Sequence, residues 1–188
     1  EEGILTFNGE IYNYLELKKD LLKNKIIFKT KSDTEVLLKY LNFYGPKKLD
    51  KIHGMWGFAY YSKKNNKFYL CRDMFGEKPV FFSLDKNKKT FIYGSNVNYI
   101  KKLSTKTYKV NYIKIFNYLK YGFRTIYSEN NTFFKNINFL NPGQLIEINK
   151  DFKVKFFDYK NFKDYNPKIK NFDFAKKLLR QEINQVVP

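Results

Sequence analysis

The chain has 188 residues, 43% hydrophobic and 20% aromatic, with a formal net charge of +18. That is enough for one domain with a sizeable core, or one domain and part of another, and far too aromatic for a disordered chain. No apolar run approaches the ~20 residues that span a bilayer, and no basic n-region with an h-region is visible, so neither a membrane partner nor a secretory signal is expected.

The single cysteine, Cys71, excludes an internal disulfide and points to a reducing, cytoplasmic setting. The charge invites a nucleic-acid reading, since lysines gain affinity by releasing counterions from phosphates. Only Arg72, Arg124 and Arg180 of the 36 basic residues are arginine, however, and arginine is the better bidentate partner for phosphates and bases. The lysines stand singly or in pairs among Asn, Ile, Phe and Tyr, as on a solvated surface. No nucleic-acid partner is expected.

In chain order, "GILTFN" (3–8) reads as a strand, followed by Asn8-Gly9-Glu10, a pair of turn-forming residues and a carboxylate. Asn13 with Glu16 predicts a capping box, and Tyr14, Leu17 and Leu21 recur at helical spacing. "KIIFKT" (25–30) has the β-branched and aromatic composition of a strand. Ser32 with Glu35 predicts a second capping box on a helix bearing Leu37, Leu38 and Leu41, stopped by Gly45-Pro46. The period then changes to two: "MWGFAYYS", "KFYLCRD", "KPVFFSL" and "TFIYGS" predict four strands of one antiparallel meander. "NYIKIFNYLKYG" predicts a helix, "NPGQLIEIN" a turn and strand, and "KVKFFDY" its hairpin partner. Residues 160–171 read as a linker, and "FAKKLLRQEINQVVP" restarts a helix.

"FNGEIYNY", "SDTEVLL", "GMWGFAYYS", "RDMFGEKPVFF" and "FLNPGQLIEI" stand in the order and context found in class II glutamine amidotransferases of the asparagine synthetase type, which residues 3–158 resemble. The resemblance implies an α+β fold of the N-terminal-nucleophile hydrolase type, a four-layer αββα sandwich, here lacking its first strands. It divides the chain into a partial glutaminase domain (1–158), a linker (159–172) and the first helix of an ATP-dependent synthetase domain (173–188). In that family an N-terminal cysteine attacks the side-chain amide of L-glutamine, with the chain's own α-amino group as base. The released ammonia passes to an aspartate adenylated with ATP and Mg²⁺ in the second domain, and such synthetases often form homodimers.

Attack on an amide builds negative charge on oxygen, which needs preorganised donors. By resemblance, Asn8 and Gly9 form the oxyanion hole, and Asn8, Gly9, Glu10 and Asp33 line the glutamine pocket, the two carboxylates meeting the α-ammonium group. Each has a structural alternative: Asn8-Gly9 as a plain turn, and Glu10 and Asp33 as acids favoured by a helix dipole. Arg72, Asp73, Gly76, Lys78 and Pro79 read as architectural, and His53, without a second ligand nearby, as no metal site. Cys71 lies mid-strand and reads as packing, not as the nucleophile.

Three pieces of the family pattern have no counterpart here: the nucleophilic cysteine, the arginine for glutamine's α-carboxylate and the pyrophosphate-binding loop. Asn96 also stands where the family usually has an acid. The 188 residues alone are therefore expected to be inactive and to bind no cofactor. Other readings remain open at this point: an amidotransferase acting on another carboxylate in surface-polysaccharide or secondary-metabolite synthesis, a non-catalytic scaffold, or an RNA-binding module. The last rests on "MWGFAYY", whose Gly54 and Met55 break the RNA-recognition motif at its start.

Overall fold

The computed structural model describes residues 3–127, 129–159 and 171–186. Strand β1 (Ile4–Ile11) is longer than the sequence implies, because Asn8, Gly9 and Glu10 form its second half and not a turn. Helices α1 (Tyr14–Lys23) and α2 (Asp33–Tyr44) follow. Then come β2 (Gly54–Ser62), β3 (Lys67–Arg72), β4 (Phe81–Asp85), β5 (Thr90–Gly94), α3 (Val97–Leu103) and α4 (Tyr112–Tyr121). A 3₁₀ turn over Phe123–Tyr127 leads to β6 (Asn138–Phe139), β7 (Gln144–Asn149) and β8 (Val154–Asp158). Helix α5 (Phe172–Val186) follows the expected linker, most of which lies outside the described residues.

The predicted meander is two sheets. Strands β1-β2-β3-β7-β8 form one antiparallel sheet, and β5-β4-β6 form the other. The break falls at "RDMFGEKP". The Asp73 carboxylate accepts the N–H groups of Phe75 (3.0 Å), Glu77 (2.9 Å) and Lys78 (3.0 Å). The Arg72 guanidinium donates to the carbonyls of Lys78 (2.8 Å), Gly76 (2.5 Å) and Leu140 (2.8 Å). Backbone groups that would have continued a ladder are thus consumed in a tight crossing, and the chain leaves the first sheet. It returns at Gly143, whose N–H donates to the Asp73 carbonyl (2.8 Å). The Arg72–Asp73 pair is architectural, as its sequence context implies.

Four layers result. Leu17, Leu21, Val36, Leu37 and Tyr40 of α1 and α2 pack on Trp56, Phe58, Tyr60 and Cys71 of the large sheet. Its other face (Ala59, Leu70, Ile146) packs on Val80 and Phe82, with Phe91 and Tyr93 alongside. Alternation turns Ser83 and Ile92 to the outer face of the small sheet, where α3 lies against β4 and β5. Helix α3 escapes sequence reading because it is only seven residues long, capped by the Asn96 side chain accepting from Asn98 N–H (2.8 Å).

Two capping boxes do not form as expected. Asn13 precedes α1, but its side chain accepts from His53 N–H (2.9 Å) and donates to the Lys51 carbonyl (2.9 Å), pinning the approach to β2. Ser32 does cap α2, accepting from Thr34 N–H (3.1 Å). Glu35 instead takes the N–H groups of Lys29 (2.8 Å) and Thr30 (2.6 Å) and the Thr30 hydroxyl (2.7 Å). This explains why residues 25–30 are not a strand: the Lys25 and Ile26 amides close the end of α1 on Leu22 and Leu21, the Lys29 and Thr30 amides serve the Glu35 carboxylate, and Ile27 is exposed.

Those donors, the Lys29 N–H first, hold the Glu35 carboxyl down to about 2 from its ordinary 4.5. The resulting stabilisation is present above pH 4.5 and is lost as pH falls toward 2. Acid titration of thermal stability should therefore show the chain's advantage over Glu35→Gln shrinking across that window. A difference that stays constant with pH would refute the linkage.

Candidate active site on the outer edge of strand β1

Hydrogen bonding fixes which way each residue of β1 faces. Tyr12 N–H donates inward to the His53 carbonyl (2.7 Å), whereas Ile11 N–H points outward to Asp33 Oδ2 (3.1 Å). At the other end Gly3 N–H also points outward, to Asn42 Oδ1 (3.0 Å). Antiparallel alternation then directs the N–H groups of Leu5, Phe7 and Gly9 to the outer edge and those of Thr6, Asn8 and Glu10 to β2. Strand β1 ends the order of its sheet, so Gly9 presents its N–H along an edge that no described strand covers.

Side chains alternate in the perpendicular sense. Leu5, Phe7 and Ile11 join the helix-side core, while Thr6, Asn8 and Glu10 are exposed on the face toward the small sheet. Asn8 borders a groove of about 150 Å³ that Gly57, Val80, Tyr93 and Gly94 also line. Gly57 sits directly opposite Asn8 in the ladder, and a Cβ there would press on Val80 Cγ2. Two residues before Asn8, the Thr6 and Tyr93 hydroxyls meet at 3.2 Å and tie the two sheets together.

All four candidate residues lie on or beside strand β1. Asn8 and Glu10 share one face about 7 Å apart, as expected for residues two apart in a strand. Gly9 between them offers a backbone N–H. Asp33, first residue of α2, is half-buried and bonded to Ile11, one residue beyond Glu10. Its other oxygen accepts from the Thr34 hydroxyl (3.3 Å). The packing of α2 on the sheet brings Asp33 across 22 positions of sequence to the strand that carries the other three.

Cys71 is fully buried between Trp56, Tyr159 and the helix core, and burial pushes its thiol well above the usual range. A thiol so placed is not the nucleophile. The His53 side chain is exposed, and its backbone is what the fold uses. Among the described residues no helix is long and apolar enough to cross a membrane. Sequence reading misses two contributors to the site: Gly57, which clears the space opposite Asn8, and Tyr93, which closes the groove. Only the register of β1 on β2 and the docking of the small sheet reveal them.

A family model described as glutamine amidotransferase domain matches residues 1–159. Asparagine synthetase [glutamine-hydrolyzing] 2 of Bacillus subtilis is 34% identical over 153 residues, 79% of this chain and 20% of that protein. Putative asparagine synthetase [glutamine-hydrolyzing] 1 of Methanocaldococcus jannaschii is 45% identical over 84 residues, 45% of this chain and 15% of that protein. The matched stretches are thus a fifth or less of these relatives' lengths. Among solved structures, glutamine phosphoribosylpyrophosphate amidotransferase from B. subtilis, complexed with ADP and GMP, aligns with a TM-score of 0.55 at 18% identity. That alignment covers 84% of this chain and 29% of the other, and it speaks to fold alone. The sandwich is of the N-terminal-nucleophile type, and the chain belongs to the glutamine amidotransferase domain family.

Proposed function

We propose that this chain carries the glutamine-receiving half of a glutaminase site within a glutamine-dependent asparagine synthetase. The observation that supports it most is strand β1, one face of which carries the Asn8 amide and Glu10 while its outer edge carries the Gly9 N–H and meets Asp33. In this reading the glutamine carboxamide lies along that edge. Its carbonyl oxygen faces Asn8 Nδ2 and Gly9 N–H, which donate to the oxyanion formed when a thiolate attacks. The α-ammonium group sits between Glu10 and Asp33. The thiolate comes from outside these 188 residues, since Cys71 is buried. Aspartate, ATP and Mg²⁺ belong to the ATP-dependent synthetase domain, of which residues 173–188 carry the first helix.

The reading is tested by titrating the chain with L-glutamine and following backbone amide resonances. Shifts should centre on Asn8, Gly9, Glu10 and Ile11. Glu10→Gln and Asp33→Asn should each weaken binding about tenfold, the size of one charge-assisted hydrogen bond, while Asn at 33 still accepts from Ile11 N–H. Shifts centred elsewhere, or unchanged affinity in the double variant, would overturn the assignment.

A further inference from the structure

Another cavity, of about 300 Å³, shares the Pro79–Val80 segment with the groove beside Asn8. Its walls are mostly apolar, with Val80, Val97, Phe133, Phe134 and Phe139 prominent. Its charged lining is entirely cationic: Arg72 and Lys114, with no Asp or Glu among the described residues that line it. A third cation, Lys101, stands over the Phe134 ring at 4.2 Å.

Lys114 is the unusual member. Read from "YIKIFNYLK" it belongs with the solvated lysines, yet it is only 4% exposed. Its Nζ donates to the Thr125 carbonyl (2.7 Å), and no carboxylate lies within ion-pair distance among the described residues. Lysines near a surface normally extend their stems so that the ammonium stays in water. An ammonium held inside against one neutral acceptor is costly unless a counter-anion shares the site. Arg72 adds positive field, while its guanidinium donates to the carbonyls of Lys78, Leu140 and Gly76.

The acids nearby are turned to other tasks. Asp73 holds the backbone of the crossing loop, and the exposed Glu129 accepts from Asn131 Nδ2 (2.6 Å) without lining the cavity. Asn96, at the cavity wall, is neutral and caps α3. Nothing on the described walls therefore balances Lys114.

We infer that this cavity binds a small organic monoanion, a carboxylate paired with Lys114 Nζ and an aromatic or branched apolar body against Phe133, Phe134 and Phe139. The volume is at the lower end of small-molecule sites, about 300–1,000 Å³, which suits a ligand of roughly ten heavy atoms. A bare inorganic anion would leave the aromatic walls unused. Because Pro79 and Val80 wall both cavities, an occupant here touches the segment that also shapes the groove beside Asn8.

Phenylacetate, its neutral isostere phenylacetamide and inorganic phosphate separate the terms when titrated into the 188-residue chain by calorimetry. Phenylacetate should saturate with a Kd of about 1 mM or tighter, and the other two should bind at least about tenfold more weakly. Lys114→Met and Asn96→Asp should each weaken phenylacetate at least about tenfold. Asp is as good a helix cap as Asn, so the second variant adds a negative charge to the wall while keeping α3 in place. Absence of saturable binding, equal binding of phenylacetamide, or undiminished affinity in Asn96→Asp would overturn the proposal.

Discussion

Asp73→Ala should lower the free energy of unfolding by about 3 kcal/mol or more, as three part-buried N–H groups lose a fully buried acceptor at about 1 kcal/mol or more each and the loop relaxes only in part. For a chain of this length that corresponds to a drop in Tm of roughly 6–12 °C. The carboxylate is fully buried and carries the amides of Phe75, Glu77 and Lys78. Asp73→Asn should be intermediate, because one of its two oxygens becomes a donor facing other donors. Thermal unfolding of the three proteins decides the matter. A Tm for Asp73→Ala within about 2 °C of the parent would show that water or an altered loop satisfies those amides.

Gly9→Ala should be nearly as damaging for a different reason, about 2 kcal/mol or more, through crowding of one backbone against another. A Cβ on Gly9 would overlap the Met55 carbonyl and stand 2.7 Å from Trp56 Cα. Both are main-chain atoms of β2 and cannot swing aside as a side-chain tip can. The strand pair must open at the point where Asn8 and Glu10 are displayed. Loss of stability should therefore be accompanied by faster amide exchange at Glu10, whose N–H faces β2, and at Tyr12, whose N–H donates to the His53 carbonyl just before β2. Asn8→Ala, which keeps the ladder intact, should leave both unchanged. If Gly9→Ala unfolds at the parent's temperature, the close approach of the strands is not a constraint.

Much of this was legible in the sequence because local chemistry and tertiary structure agree. Ser32 caps α2 and Gly45 ends it, with φ 86° and its N–H on the Leu41 carbonyl. The alternating segments from Met55 to Gly94 are strands. Where reading failed, a long-range partner had taken over a local signal. Asn13 and Glu35 have capping chemistry but spend it on Lys51, His53, Lys29 and Thr30. Asn8-Gly9 has turn chemistry, but in β1 the glycine serves the tight approach of β2 and the asparagine faces outward. The split of the meander depends on one buried carboxylate choosing its own loop. At the site, the resemblance implied Asn8, Gly9, Glu10 and Asp33, but only the structure shows that Asp33 reaches β1. Lys114 was illegible, since a lysine on an amphipathic helix looks the same whether its tip meets water or a cavity.

The bond between Gly143 N–H and the Asp73 carbonyl makes residues 73–143 a closed excursion from the large sheet. Strand β7 can pair with β3, and Cys71 face Leu145, only once that whole stretch has been synthesised. Such non-local pairing slows folding more than it weakens the folded state. The entropy of closing a loop grows only with the logarithm of its length, about 0.6 kcal/mol per doubling. Insertions in the exposed turns of the excursion, such as residues 86–89 between β4 and β5, are thermodynamically cheap as long as its two ends still meet. That freedom belongs to the exposed turns alone, because Val80, Phe82 and Tyr93 of the same excursion are held by the core and by the groove beside Asn8.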